Sequence, residues 1–234
     1  GELMGFFLTI LGSSSALPTA TTNPTAHLLN VNERFFLIDC GEGTQMQLRR
    51  SHVKIQRINN IFISHLHGDH YFGLIGLITT MQLLGRDKEL HIFSPPGLKP
   101  IIDIQLKGDD SLGFPLTFHE LNSGKQELIF EDDKITVKTI PLQHRVPCCG
   151  FLFREKPKPR NMVKELVMKH QIPFEQIQHI KLGEDYIKED GTRIKNEELT
   201  TSSPPSYSYA FCSDTRYDES IIPCIEGVDL LYHE

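Results

Sequence analysis

Ser64-His65-Leu66-His67-Gly68-Asp69-His70 decides the reading of this chain. The stretch follows an apolar run, Asn60 to Ile63, and precedes another, Tyr71 to Leu84. Four side chains able to bind a metal therefore fall within a strand-to-helix turn. In an extended segment side chains alternate with period two, so His65 and His67 point the same way. The turn at Gly68 swings Asp69 and His70 to an adjacent position, and one loop can serve two neighbouring ions. Imidazole and carboxylate donors suit Zn²⁺ best, with Mn²⁺ or Fe as alternatives. A solvated polar loop is the competing reading, and this density of ligands disfavours it.

Further ligands must come from other strand ends. His144 lies just after a strand ending at Pro141, in Leu142-Gln143-His144-Arg145. Asp214 follows the apolar run Tyr209 to Ser213, where a carboxylate either caps the next helix or bridges two cations. With the other ligands present, the bridge is favoured. His27, His52, His91, His119, His170 and His179 lack partner spacing and read as structural or exposed. Arg49-Arg50 reads as a solvated helix end.

Outward from the loop, strands are expected at Phe6–Leu11, Ala26–Val31, Arg34–Asp39, Asn60–Ser64 and Glu89–Ser94, with helices over 41–52, 71–84 and 97–106. Strands continue at Leu116–Leu121, Glu127–Glu131, Lys134–Pro141 and Gly150–Arg154. This alternation predicts layered α/β packing rather than an all-β sandwich. From about 155 to 206 the chain is polar and Pro-punctuated, with short helical stretches near 161–170 and 173–180. Such a stretch inside a domain reads as a projecting arm. A strand resumes at Tyr207–Ser213, then a helix from about Asp218, then the strand Val228–Tyr232.

The 234 residues carry a net charge of −6, which disfavours polyanion binding as a whole. Between Arg154 and Lys169, however, six basic residues face two acidic ones. No apolar run approaches the ~20 residues of a membrane helix. Five cysteines, Cys40, Cys148, Cys149, Cys212 and Cys224, share no spacing, which argues for reduced, mostly buried thiols and a cytoplasmic setting. Gly1-Glu2-Leu3 reads as a cloning remnant ahead of Met4.

The His65-x-His67-x-Asp69-His70 motif, with His144 and Asp214, resembles the metallo-β-lactamase superfamily. Ile38-Asp39-Cys40-Gly41-Glu42-Gly43-Thr44-Gln45, Leu11 to Thr19, Phe72-Gly73-Leu74, His144-Arg145-Val146, Ser213-Asp214-Thr215 and the terminal His233-Glu234 make the resemblance closer to ribonuclease Z. It covers nearly the whole chain. It implies one domain over 1–234, a four-layer αββα sandwich with two facing mixed sheets and a flexible arm inserted at about 155–206. It implies His65, His67 and His144 on one Zn²⁺, Asp69 and His70 on a second, and Asp214 between them. Asp69 would be the general base, and His233 with Glu234 would protonate the departing ribose oxygen. The implied substrate is precursor tRNA, cut at its 3′ trailer by a cytoplasmic homodimer with no membrane attachment. Arg154, Lys156, Lys158 and Arg160, at the start of the arm, would contact RNA phosphates.

Two departures stand out. The family's further metal-binding histidine, in a His-Ser-Thr motif, has no counterpart before Glu234, so the chain reads as C-terminally truncated and its own catalysis is doubtful. The arm also lacks the family's Gly-Pro pair. Two other readings compete. One is a small-molecule hydrolase of the same fold, acting on a cyclic nucleotide, thioester or lactam. The other is a non-catalytic RNA-binding or dimer-partner subunit.

Overall fold

The computed structural model describes residues 5–106 and 112–234; the Gly1–Met4 stretch lies outside them. Six strands form the first sheet: β1 (Phe6–Gly12), β2 (Ala26–Val31), β3 (Arg34–Ile38), β4 (Ile58–Phe62), β5 (Leu90–Ser94) and β6 (Leu116–Glu120), in that spatial order. The first three run antiparallel, and β3 to β6 run parallel. Parallel neighbours need crossovers, and the helices α1 (Thr44–Arg50), α2 (Leu74–Leu83) and α3 (Leu98–Leu106) occupy them. The buried side of α2 is Leu74, Leu77, Ile78 and Met81, spaced at three and four residues as an amphipathic helix requires. These side chains join Leu37, Ile61 and Ile92 in one apolar layer between helices and sheet.

The chain continues through β7 (Leu128–Glu131), β8 (Ile135–Pro141) and β9 (Cys149–Glu155). It then leaves for the polar stretch, which holds β10 (Asn161–Met162), α4 (Lys164–Lys169), α5 (Phe174–Lys181), β11 (Tyr186–Ile187), β12 (Arg193–Ile194), α6 (Asn196–Leu199) and β13 (Thr200–Thr201). It returns through β14 (Ser208–Cys212), α7 (Ile222–Ile225) and β15 (Leu230–His233). The second sheet has the order β15-β14-β9-β8-β7 and is also mixed, because only β14 and β15 run parallel among its paired strands of known direction.

Alternation along the strands builds three layers of contact. Phe36 and Phe62 from the first sheet meet Phe151 and Phe153 from the second, with ring centroids 5.4–5.7 Å apart where the two sheets touch. On the far side of the second sheet, Ile140, Leu152 and Ala210 pack with Ile221 and, from α7 and its flank, Cys224, Ile225 and Val228. Helices therefore lie outside two facing sheets, the αββα order expected.

Residues 155–207 form a compact unit of their own. Its core is Ile172, Ile180, Tyr186, Ile194 and Leu199. Buried Asn196 donates through Nδ2 to the carbonyls of Ile180 and Glu184 at 2.6 and 2.7 Å, tying α6 to the end of α5 and the turn after it.

Several element bounds differ from the sequence reading. The helix expected from Gly41 begins only at Thr44, since Gly43 adopts φ +78° and Thr44 Oγ1 donates back to the Gly41 carbonyl. The helix expected from Tyr71 begins at Leu74, after a 3₁₀ turn over Gly68–His70. Asn161 and Met162 are strand rather than helix because they pair with Thr201 and Thr200, a partner distant in sequence.

Candidate metal centre

The loop Ser64–His70 is anchored from three sides before any ligand is considered. Ser64 N–H donates to Asp39 Oδ1 at 2.8 Å, and the Ser64 carbonyl accepts from Cys149 N–H at 3.0 Å. Cys40 N–H donates to the His70 carbonyl at 2.8 Å. Gly41 must lack a side chain here, because a Cβ would fall 2.5 Å from the Asp69 carbonyl oxygen. Asp39 and Asp214 both end strands in the left-handed region, at φ +57° and +58°. Asp tolerates that conformation better than most residues, and strain of this kind concentrates at functional sites.

His65, His67, His144 and Asp214 each place one ligand atom within 4.8 Å of all the others. His65 Nε2 lies 3.1 Å from His67 Nδ1 and 3.1 Å from Asp214 Oδ2. His144 Nε2 lies 3.3 Å from His67 Nδ1. Four donor atoms converge on one point from three separate loops. Beside it, His70 Nε2 approaches Asp69 Oδ2 at 3.3 Å and the same Asp214 Oδ2 at 3.4 Å. One Asp214 oxygen thus stands between two groups of donors.

The donor set fits metal ions. His70 Nε2 is buried and makes only the long approaches to Asp69 and Asp214, while its Nδ1 is held 2.6 Å from Asp39 Oδ2. A buried ring nitrogen aimed at two carboxylates without a well-formed hydrogen bond is an arrangement that a bound cation completes. His65 shows the same division of labour, with Nδ1 at 3.0 Å from Ser64 Oγ and Nε2 facing inward. Such outer contacts fix ring orientation and tautomer in histidine metal sites.

Without metal, the charges lean on one another. Hydrogen bonds from His65 and then His70 hold the Asp214 carboxyl well below the usual range. Burial opposes charge on His70, but Asp39, Asp214 and Asp69 outweigh it and raise that imidazole to about 10. Burial, followed by the field of His65, lowers His144 and favours its neutral, ligating form.

Asp69 Oδ2 also accepts from Ala16 N–H at 3.0 Å, so the Ser/Thr-rich loop after β1 reaches the site. Asp214 caps no helix; Asp218 accepts from Ser220 N–H and does that work instead. His233 and Glu234 are exposed and stand outside the four-residue cluster. The backbone of Glu234 nevertheless bonds to Cys212 and Thr215, on either side of Asp214, and its Oε2 accepts from Tyr232 Oη at 2.5 Å. Cys148 and Cys212 pack into the apolar layer under α7, where burial raises both thiols. Of the four basic residues at the start of the arm, Lys158 pairs with Glu155 at 2.9 Å and Arg160 Nε donates to Thr200 Oγ1 at 2.7 Å, while Arg154 is exposed.

One contributor to the site is not singled out by the sequence: Asp39, which stands only within its motif, holds both Ser64 and His70. His27 is structural as expected, buried with its Nδ1 2.7 Å from Tyr209 Oη. His91 and His119, which lack partner spacing in the sequence, are paired at 3.0 Å, because neighbouring parallel strands place them diagonally across β5 and β6.

A four-layer αββα sandwich with a His/Asp cluster beyond its strand ends defines the metallo-β-lactamase class. Its neighbours include human tRNase Z, short form, at 36% identity and TM-score 0.59 over 64% of this chain and 66% of that one. A long form RNase Z from yeast superposes at TM-score 0.63 and 15% identity over 97% of this chain and 32% of that one. Residues 6–158 match the family model described as Anti-Pycsar protein Apyc1. Ribonuclease Z of Bacteroides fragilis is 48% identical over 98% of this chain and 76% of its own length. That of Bacteroides thetaiotaomicron is 48% identical over 98% of this chain and 73% of its own. The chain belongs to the ribonuclease Z family of endoribonucleases, and the Apyc1 model matches part of that same core, ending at residue 158.

Proposed function

We propose that this chain is a two-metal endoribonuclease that removes the 3′ trailer of precursor tRNA. The observation that carries the reading is the position of Asp214 Oδ2, 3.1 Å from His65 Nε2 and 3.4 Å from His70 Nε2. It favours two adjacent metal subsites sharing one carboxylate, in a chain 48% identical to proteins named Ribonuclease Z. His65, His67 and His144 would hold one Zn²⁺, Asp69 and His70 the other, with Mn²⁺ or Fe as the alternatives. Bound there, the pair would lower the pKa of an attacking water and offset charge at the phosphorus.

The protein's own groups then manage protons and position. Asp69, whose Oδ2 faces the second subsite and is steadied by Ala16 N–H, accepts the proton of the attacking water. Water oxygen bonds to phosphorus as the bond to the ribose oxygen breaks. His233 and Glu234 give that departing oxygen its proton, since a ribose alkoxide leaves poorly. Asp39 keeps His70 turned toward the site throughout.

Residues 155–207 serve in this reading as an arm inserted into a single catalytic domain. Arg154, Lys156, Lys158 and Arg160 at its start would contact RNA phosphates, a salt-dependent and sequence-independent attraction. The tRNA would be recognised by shape. A homodimer is part of the same reading, supported by exposed Phe7, Ile10 and Met46 around β1 and α1. A cytoplasmic setting accords with five free thiols among the described residues. No helix among the described residues is long and apolar enough to cross a membrane.

The test is elemental analysis of the purified chain together with cleavage of a precursor tRNA. Two metal equivalents and a cut at the trailer support the reading. Metal binding with hydrolysis of a small phosphodiester but no cut in tRNA would make it a small-molecule hydrolase. Binding of tRNA with neither cut nor second metal would make it a non-catalytic partner subunit.

A further inference from the structure

We propose that His91 and His119 form a separate transition-metal site that ties the edge strand β6 to β5. The pair lies on the face of the first sheet that turns toward the second, beside Phe93 and away from the Ser64–His70 loop. His91 is in register with Asn60, four residues before Ser64, and His119 with Phe93.

The geometry suits a shared ion. His91 Nδ1 and His119 Nε2 are 3.0 Å apart. Two imidazoles on one ion at ~2.05 Å each sit about 2.9 Å apart at a right angle and about 3.3 Å apart at the tetrahedral angle. The other nitrogen of His91, Nε2, faces Glu89 Oε2 at 3.6 Å. The field of that carboxylate favours the proton on Nε2, which leaves Nδ1 with a free lone pair, the tautomer used in carboxylate–histidine–metal arrangements. Thr117 Oγ1 donates to the other Glu89 oxygen and fixes it in turn.

The second ring is equally constrained. His119 stacks on Phe93 with centroids 4.3 Å apart and planes at 12°, so Nε2 cannot swing away cheaply. Burial, then the neighbouring His91, lowers the His119 pKa and keeps the ring neutral, the form a metal requires. Side-chain exposure of 31% at His91 leaves a path for an ion and for the water molecules that complete its coordination. Two imidazoles with a carboxylate behind one of them select a borderline divalent ion, Zn²⁺, Ni²⁺ or Cu²⁺, over Mg²⁺ or Ca²⁺. Free of metal, the two rings share one hydrogen bond, His119 Nε2–H donating to His91 Nδ1, with the Glu89 carboxylate 3.6 Å beyond His91 Nε2. On binding, the His119 proton moves to Nδ1 and the ion takes its place.

Equilibrium dialysis of the metal-stripped full chain against Zn²⁺ tests this, read beside Cu²⁺-induced broadening of amide signals. The wild type is expected to hold one equivalent more than H119A, a variant at the sheet edge whose fold is checked by circular dichroism. H67A, in the other cluster, retains that equivalent. E89Q keeps it with about 10–100-fold weaker affinity, the usual effect of removing a carboxylate behind a ligating histidine. Cu²⁺ added to H67A, and to wild type once its main centre is filled, broadens amides of Leu116–Glu120, whereas in H119A it does not. Equal zinc stoichiometry and affinity in wild type and H119A, or unchanged β6 signals, would overturn the proposal and leave a histidine–histidine hydrogen bond only.

Discussion

Asp39 and His70, 31 positions apart in the chain and both buried, meet at 2.6 Å, Oδ2 to Nδ1. The same carboxylate accepts from Ser64 Oγ at 2.9 Å, and Ser64 Oγ in turn lies 3.0 Å from His65 Nδ1. One buried carboxylate thereby sets the orientation of two rings, one in each group of donors. Asp39→Asn keeps the left-handed backbone but removes the charge. It is expected to weaken metal binding about 10–100-fold, measured by competition with a chelator. Asp39→Ala, which also leaves Ser64 N–H and His70 Nδ1 unpaired, is expected to cost about 3–5 kcal/mol of stability in urea melts.

The loop Ser64–His70 is readable from sequence because its ligands are local: a period of two and one glycine bring four of them together. His144 and Asp214 are readable as strand-end residues, although their convergence within 4.8 Å depends on the two sheets facing each other. Asp39 is harder to read. Its partners are 25 and 31 residues away, and a carboxylate after a strand resembles any turn aspartate. The pairings His27–Tyr209 and His91–His119 are not readable at all, since they depend on register across strands. The arm's short strands escape for the same reason: Met162 pairs with Thr200, and no local pattern announces it.

The cluster itself predicts an ordered loss of function. His67→Ala removes the nitrogen that lies near both His65 and His144, at 3.1 and 3.3 Å. It should abolish one metal equivalent and cleavage together while leaving the fold intact, because His67 is only half-buried. Asp214→Asn should lower both equivalents, since its Oδ2 faces both groups. Elemental analysis of the two variants separates these outcomes.

Gly41 predicts a coupling between packing and chemistry. Its missing Cβ would collide with the Asp69 carbonyl and with Pro24, each at 2.5 Å. Gly41→Ala is expected to cost about 1–3 kcal/mol as an overpacked site. Because the displaced backbone carries Asp69, kcat should fall further than this stability loss explains, measured at a temperature where the variant remains folded.

Arg154 and Lys156 predict a salt signature. If they contact phosphates, each alanine variant should flatten the slope of log affinity against log salt by about one unit, uniformly across tRNA species. Filter binding at several salt concentrations checks this. An unchanged slope would mark the basic start of the arm as a solvated face.

His27 predicts an acid-sensitive core. It is fully buried between the sheets against Tyr209, Phe211 and Tyr232, and burial lowers its pKa to about 4 despite the opposing pull of Asp39. In the unfolded chain the ring titrates near its ordinary value of 6.5. Between those values the unfolded state binds the extra proton, so stability rises with pH across the window and is lost as pH falls through it. The contribution is full above about 6.5, and the loss amounts to roughly 3 kcal/mol by the time pH reaches about 4. The double variant His27→Phe with Tyr209→Phe removes the titrating ring and the hydroxyl that would otherwise be left unpaired. Its urea midpoint should show a shallower decline than wild type between pH 6.5 and 4. Parallel curves for the two proteins would place the acid sensitivity elsewhere.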